Sequence, residues 1–284
     1  MLLPSFTFSS ARSVEEALEL WAHLPGAAYL AGGTDLLPQL RMGKRTHRNL
    51  IDIKRIASLS EIRETDAGLA IGAAVPLADI ARHRTVRQHY PLLAECCRRV
   101  GAWPLQNRAT LAGNICNASP AADTAVALLA LEADIIVVRP GDERTLPVTG
   151  LFRGPGQTCL EPGDLVAEVV LPRASAGWHG SYERLSRRQG MDLATVGVLV
   201  ACSNGGSPPR HRVALAAVAP TPLRVADVEA LLDREGPRAA RRAGELARDC
   251  CRPITDLRGS AEYRREMVGV LVARAVVALN GGPK

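Results

Sequence analysis

The chain has 284 residues, 47% hydrophobic and 23% charged, enough apolar material for a buried core and too much for a disordered polymer. Its formal charge of +6 is spread along the sequence and only 4% of residues are aromatic, so there are few rings on which bases could stack and nucleic acid is not an expected partner. The best apolar run, 267–279, is broken by Arg274 and falls short of the roughly 18 residues that span a bilayer, so no membrane span is expected.

In chain order, Ser13-Val14-Glu15-Glu16 fits a capping box, which predicts a helix to about residue 23. The apolar run 27–30 before the glycines reads as a strand, as do 49–53 and 69–71. A helix is predicted over 91–100. Another is predicted over 120–131, with Ser119 as N-cap and Pro120 at the first helical position. Strands at 135–138 and 165–171 flank Gly154-Pro155-Gly156, read as a loop. Composition shifts across 172–177, which places a boundary between a domain of residues 1–175 and one of 176–284. Beyond it, 180–185, 194–202 and 210–218 read as a three-stranded meander. The middle strand is wholly apolar, hence buried on both faces. Helices follow at 226–233, 238–249 and 260–280, the last capped by Ser260 and stopped by Gly281-Gly282-Pro283.

Several chemistries lack their motifs. Seven cysteines form no CxxC pair, and Cys96-Cys97 and Cys250-Cys251 fall in helical stretches as small packing residues. The six histidines include no HExxH and no pair three or four apart, so zinc and iron–sulfur ligation are not expected. GxGxxG, Walker A and GxSxG are all missing. The N-terminus carries no signal-peptide pattern, which makes a cytoplasmic protein the expectation.

Two segments use glycine and small polar residues where a core would use leucine. Ala31-Gly32-Gly33-Thr34-Asp35 follows a strand, where backbone N–H groups in a turn can approach a ligand and form an anion nest. An ordinary tight turn has the same composition. Asp35 would repel phosphate, so it is assigned to the loop backbone or to polar groups of a ligand. Thr110-Leu111-Ala112-Gly113-Asn114, followed by Asn117 to Asp123, brackets a glycine with a hydroxyl and an amide, and Ser119 opens a helix. A capped helix after a loop is the plainer alternative. Four or five charge-assisted hydrogen bonds to a diphosphate are worth about 6 to 15 kcal/mol, against an association cost of roughly 4 to 15 kcal/mol. Tight retention therefore needs the extra buried area of a dinucleotide.

These segments, with Ser13 to Leu18, Leu30 to Leu37, Ala118 to Asp123 and Arg258 to Arg264, resemble the FAD-binding (medium) subunit of molybdenum hydroxylases, the xanthine dehydrogenase and carbon monoxide dehydrogenase family. The resemblance spans nearly the whole chain. It implies an α+β fold: a p-cresol-methylhydroxylase-like FAD-binding domain of two α/β subdomains, then a C-terminal domain with a small antiparallel sheet and helices. It implies cofactor contacts from Leu30, Ala31, Gly32, Gly33, Thr34, Asp35, Leu36 and Leu37, and from Thr110, Leu111, Ala112, Gly113 and Asn114. Val100, Ser119 and Asp123 would join them, with Leu165 and Arg184 near the isoalloxazine. The sequence departs from the family's Thr-Ile-Gly-Gly-Asn at Ala112, and Gln106, Ala109 and Arg184 replace a more typical Arg, Gly and Lys.

The implied activity is an oxidoreductase subunit. Electrons would come from a molybdenum-cofactor large subunit through a 2Fe-2S small subunit to FAD, and pass to NAD or another acceptor. A stand-alone flavin oxidoreductase and a flavin-free scaffold are the alternatives at this point.

Overall fold

In the computed structural model, residues 2–279 are described except 204 and 206–208. The chain begins with a small parallel sheet in which Thr7–Ser10 and Ala27–Leu30 both pair with a central Asn49–Asp52. The capping box opens the intervening helix, Val14–His23: Glu16 N–H donates to Ser13 Oγ at 3.1 Å, and the Glu16 carboxylate accepts from Arg12 N–H at 2.7 Å, one residue before the cap. The edge strand Thr7–Ser10 has no apolar period to betray it. A short helix, Leu36–Arg41, lies inside what reads as loop, with Pro38 in its first turn, where a missing N–H costs no intrahelical bond.

The second sheet is antiparallel, in the order Ile62–Glu64, Gly68–Gly72, Leu165–Pro172, Asp134–Arg139, Asp142–Pro147. Register shifts at Ala167, between Val166 and Glu168, and such a bulge re-aims the residues beside it. Helices Pro91–Arg99 and Asp123–Ala130 pack with this sheet in the main core. Two expectations need correction. Residues 110–114 are not loop: Thr110 caps a helix, Leu111–Cys116, its hydroxyl accepting Gly113 N–H at 3.1 Å. The helix expected from residue 120 starts at Asp123, because Ser119 Oγ takes Ala121 N–H at 3.2 Å and Ser119 O takes Ala122 N–H at 3.1 Å, closing a turn that competes with helix. The expected loop at 154–156 is the turn of a tiny hairpin, with Gly154 closing the strand Phe152–Gly154 and Pro155-Gly156 leading into Gln157–Thr158, and Gly156 N–H donates to Ala118 O at 2.9 Å.

The third sheet is the antiparallel meander His179–Leu185, Val196–Cys202, His211–Ala216, extended by Leu223–Arg224. Strand alternation sorts its residues. Val196, Val198, Val200, Val213 and Leu215 pack on the helices Ala226–Glu235, Ala240–Cys250 and Ala261–Ala278, while Tyr182, Leu199, Ala201, Ala214 and Ala216 join the main core. The apolar middle strand is thus covered on both sides. Ser260 caps the last helix by accepting Tyr263 N–H at 3.1 Å; its expected end at residue 280 and the 281–283 stop lie outside the described residues. Among the described residues no helix is long and apolar enough to cross a membrane.

Arg264 ties this last helix to the rest. Only 3% exposed, it donates to Thr195 O at 2.7 Å and Ala217 O at 3.0 Å and pairs with Asp256 at 2.6 Å. Ala217, at a φ of +64°, in turn donates its N–H to Pro120 O at 2.7 Å. Arg264→Met therefore leaves two carbonyls without their donor and Asp256 with Arg258 as its remaining cation, at 2.9 Å. We expect a loss of roughly 2 to 3 kcal/mol in urea unfolding, the scale of hydrogen bonds to a charged group; an unchanged midpoint would contradict it.

Candidate functional site

A cavity of about 590 Å³ lies where the turn after Ala27–Leu30, the capped helix Leu111–Cys116, the 117–123 turn and the start of strand Leu165–Pro172 converge. Its size suits a small-molecule or cofactor site, roughly 300 to 1,000 Å³. The first of those segments leaves the carboxyl end of a parallel strand, where ligands of open α/β sheets bind. Leu30, Ala31, Gly32, Gly33, Thr34, Asp35, Leu36, Val100, Thr110, Ala112, Gly113, Asn114, Ser119, Asp123 and Leu165 all line it. Leu37, Leu111 and Arg184 do not: Leu37 packs on the cluster of Leu30, Leu40 and Leu50, Leu111 is fully buried in the main core, and Arg184 stands behind Asp123.

The two glycines of the turn do different work. A Cβ on Gly32 would lie 2.0 Å from the Arg108 carbonyl oxygen, so this residue lets two backbones touch rather than a backbone and a ligand. Gly33 sits at a φ of +71°, which side-chain-bearing residues rarely adopt. The N–H groups of Gly32, Gly33, Thr34 and Asp35 donate to no acceptor among the described residues. Gly32, Gly33 and Thr34 are half-buried and Asp35 is exposed, and four such N–H groups in a row along a cavity wall are free to take an anion. From behind, Lys54 Nζ donates to Ala31 O at 3.0 Å and pairs with Asp52. The Asp35 side chain makes no hydrogen bond to the loop; surrounding protein desolvates it and moves its pKa up. Opposite, Gly113 N–H is taken by Thr110, while Thr124 Oγ1 donates to Asn114 Oδ1 at 2.5 Å, leaving the Asn114 amide nitrogen without a protein partner among the described residues.

Asp123 is 6% exposed at the cavity edge. Burial pushes its carboxyl up to about 6, against the opposing pull of Arg184 and of the Tyr182 hydroxyl. Arg184 Nε lies 3.0 Å away, Tyr182 donates to Asp123 Oδ1 at 2.5 Å, and Arg184 Nη2 also donates to Asp192 O. Arg184 therefore positions Asp123 and the 191–193 loop rather than facing the cavity.

Residues 4–174 match the family described as the FAD binding domain in molybdopterin dehydrogenase, and residues 181–279 the CO dehydrogenase flavoprotein C-terminal domain. The chain belongs to the FAD-binding medium subunits of molybdenum hydroxylases. It is 35% identical to the carbon monoxide dehydrogenase medium chain of Hydrogenophaga pseudoflava, over 98% of both chains. The xanthine dehydrogenase FAD-binding subunit of Escherichia coli O157:H7 is 28% identical over 98% of this chain and 99% of that one. In structure it resembles the carbon monoxide dehydrogenase of H. pseudoflava with a TM-score of 0.93 over 99% of each chain. Quinoline 2-oxidoreductase from Pseudomonas putida 86 is similar too, with a TM-score of 0.91, 26% identity and 98% of each chain covered. FAD is the cofactor of this family, and the row of unpaired N–H groups fits its diphosphate.

Sequence reading missed part of the wall: Tyr29, Gln39, Arg45, His47, Asn117, Asp164 and Met191 to Leu193 also line the cavity. Tyr29 carried a weak signal, an aromatic two residues before the Ala31-Gly32 turn. The 191–193 segment carried none, because it reaches the cavity from the third sheet.

Two outcomes follow from this geometry. Gly33→Ala and Gly26→Ala, at a φ of +65° with open space around it, each force a methyl group into left-handed backbone, and at Gly33 the methyl also presses on Leu30 Cδ1 at 3.0 Å, so each is expected to lose about 1 kcal/mol of stability or, at Gly33, somewhat more. Only Gly33→Ala should also weaken FAD in a fluorescence titration; equal FAD affinity in the two variants would remove the turn from the site. For Asp123, the folded pKa of about 6 lies above the unfolded value of roughly 3.9. Between those values the folded state holds a proton that the unfolded state has released. Stability of the cofactor-free chain should then fall by roughly 2 kcal/mol as pH rises from about 4 to 6, and level off above. Asp123→Asn should flatten that step in denaturant titrations.

Proposed function

We propose that this chain is the electron-transfer flavoprotein subunit of a molybdenum hydroxylase complex. In this reading electrons arrive from iron–sulfur clusters of a 2Fe-2S small subunit, which receives them from a molybdenum-cofactor large subunit, and leave for NAD or another acceptor. Relatives of near-identical length are named as medium or FAD-binding subunits of such dehydrogenases, which supports the assignment of partners. The observation that carries the reading is the four N–H groups from Gly32 to Asp35, unpaired among the described residues, on the wall of the cavity.

Bound FAD supplies the ability to take electrons singly and give them up singly or in pairs. The chain's own residues hold and shield it. The 32–35 turn binds the diphosphate, and the Asn114 amide, lacking an acceptor, donates to a polar group of the cofactor. Ala73, Val100, Leu165 and Val166 present an apolar wall that excludes water, the last two from beside the bulge at Ala167. Asp123, poised near pH 6 and fixed by Arg184 and Tyr182, holds a proton at its carboxyl beside the cofactor below that pH. We assign residues 1–175 to cofactor binding and 176–284 to a second domain that contributes Met191 to Leu193 to the wall. All seven cysteines are free, which fits a reducing, cytoplasmic location.

Purified from the host that makes its partners, the chain is expected to carry one FAD per polypeptide and to stay oxidised with organic hydroxylase substrates until the other two subunits are added. Stopped-flow bleaching near 450 nm reads this directly. Reduction of the isolated chain by such a substrate would favour a stand-alone flavin enzyme, and a colourless chain that FAD cannot reconstitute would favour a scaffold.

A further inference from the structure

The cavity's charges are distributed unevenly. Four aspartates line it: Asp35, Asp123, Asp164 and Asp192. Three are neutralised by arginines that do not line it: Asp123 by Arg184 at 3.0 Å, Asp164 by Arg144 at 2.5 Å and Arg139 at 3.2 Å, and Asp192 by Arg187 at 3.2 Å. Asp35 has no ion pair among the described residues. Against these acids, the lining holds a single Lys or Arg side chain, Arg45.

Arg45 is an exposed side chain bonded to one neutral partner. Its Nε donates to Gln39 Oε1 at 3.3 Å, and Gln39 Nε2 donates to Asn117 Oδ1 at 2.8 Å. All three side chains face the cavity, so the pair of bonds joins the first sheet's helix Leu36–Arg41 to the far side, after Leu111–Cys116. Nη1 and Nη2 of Arg45 engage no acceptor among the described residues. The other lining base, His47, has Nδ1 3.1 Å from the Gly26 carbonyl oxygen. A diphosphate brings two negative charges into a wall that already contains the unpaired Asp35. Backbone N–H groups offer partial charges only. A guanidinium with two free nitrogens presents a fork that matches phosphate oxygens.

We propose that Arg45 is the counter-ion of the cofactor's diphosphate, presented across the cavity by the Gln39–Asn117 bridge. The proposal rests on the FAD reading above and adds the one full positive charge that the 32–35 turn lacks.

The test uses the full-length chain stripped of flavin, in wild-type, Arg45→Ala and Arg45→Lys forms, titrated with FAD and separately with riboflavin, which has no phosphate, at low and at moderate salt. Arg45→Ala is expected to weaken FAD about tenfold at low salt, to show less salt dependence than wild type, and to leave riboflavin unchanged. Arg45→Lys should recover most of the loss. Wild-type FAD affinity and salt response in Arg45→Ala would overturn the proposal while leaving the cofactor reading intact, and so would an equal weakening of FAD and riboflavin, which marks a structural role. A wild-type chain that binds riboflavin and FAD equally tightly would overturn it as well. Failure of the wild type to bind any flavin would overturn both.

Discussion

The structure depends on one close approach, the contact of the Gly32 backbone with the Arg108 carbonyl. Any Cβ there would lie 2.0 Å from the oxygen, far inside van der Waals contact, so the turn after the parallel sheet and the segment leading into the capped helix Leu111–Cys116 can meet only through glycine. That contact lies at the cavity wall, which Gly32 and Ala109 both line. It brings the unpaired amides of 32–35 opposite Asn114 and Ser119, residues some eighty positions away along the chain. A glycine that looks made for a ligand serves first to let two subdomains touch.

The second half of the chain is not an appendage. Its sheet is buried on both faces, one against its own helices and one against the main core, and burial of this kind is the dominant favourable term in folding. It also delivers function-bearing groups to the cavity edge: Tyr182 and Arg184 grip Asp123, and the Arg184 bond to Asp192 O fixes the loop carrying Met191 and Leu193. Arg264 adds a rigid connection through Ala217 to Pro120, on the turn that enters Asp123. Cofactor pocket and C-terminal domain are therefore mechanically linked at a carboxyl whose pKa burial has pushed up to about 6.

Helices with side-chain caps were legible in the sequence. Ser13 and Ser260 each place an oxygen on an amide three residues ahead, a local rule that needs no tertiary partner. The meander was legible too, because a strand as apolar as 196–202 has to be covered on both faces. The misreadings fall at 110–123. Thr110 is a cap as well, but glycine and asparagine after it argued for loop, and Ser119 closes a turn before the helix instead of opening it. Local polar side chains can serve turn or cap equally, and the choice here belongs to contacts with the 152–158 hairpin and the third sheet.

The sequence by itself determined the two glycine-bearing segments and the side-chain caps, because those follow from spacing and short-range hydrogen bonding, while its resemblance to a known family supplied the class of the protein and part of the wall of the site. Tertiary structure alone decided which of the selected residues face the cavity. Leu37 and Leu111 turned into the core, Arg184 went behind Asp123, and Arg45, with no local motif to mark it, became the cavity's lone lining Lys or Arg among the described residues. The reason is physical: side-chain direction and charge pairing depend on neighbours brought from distant parts of the chain, and no pattern within a few residues records them.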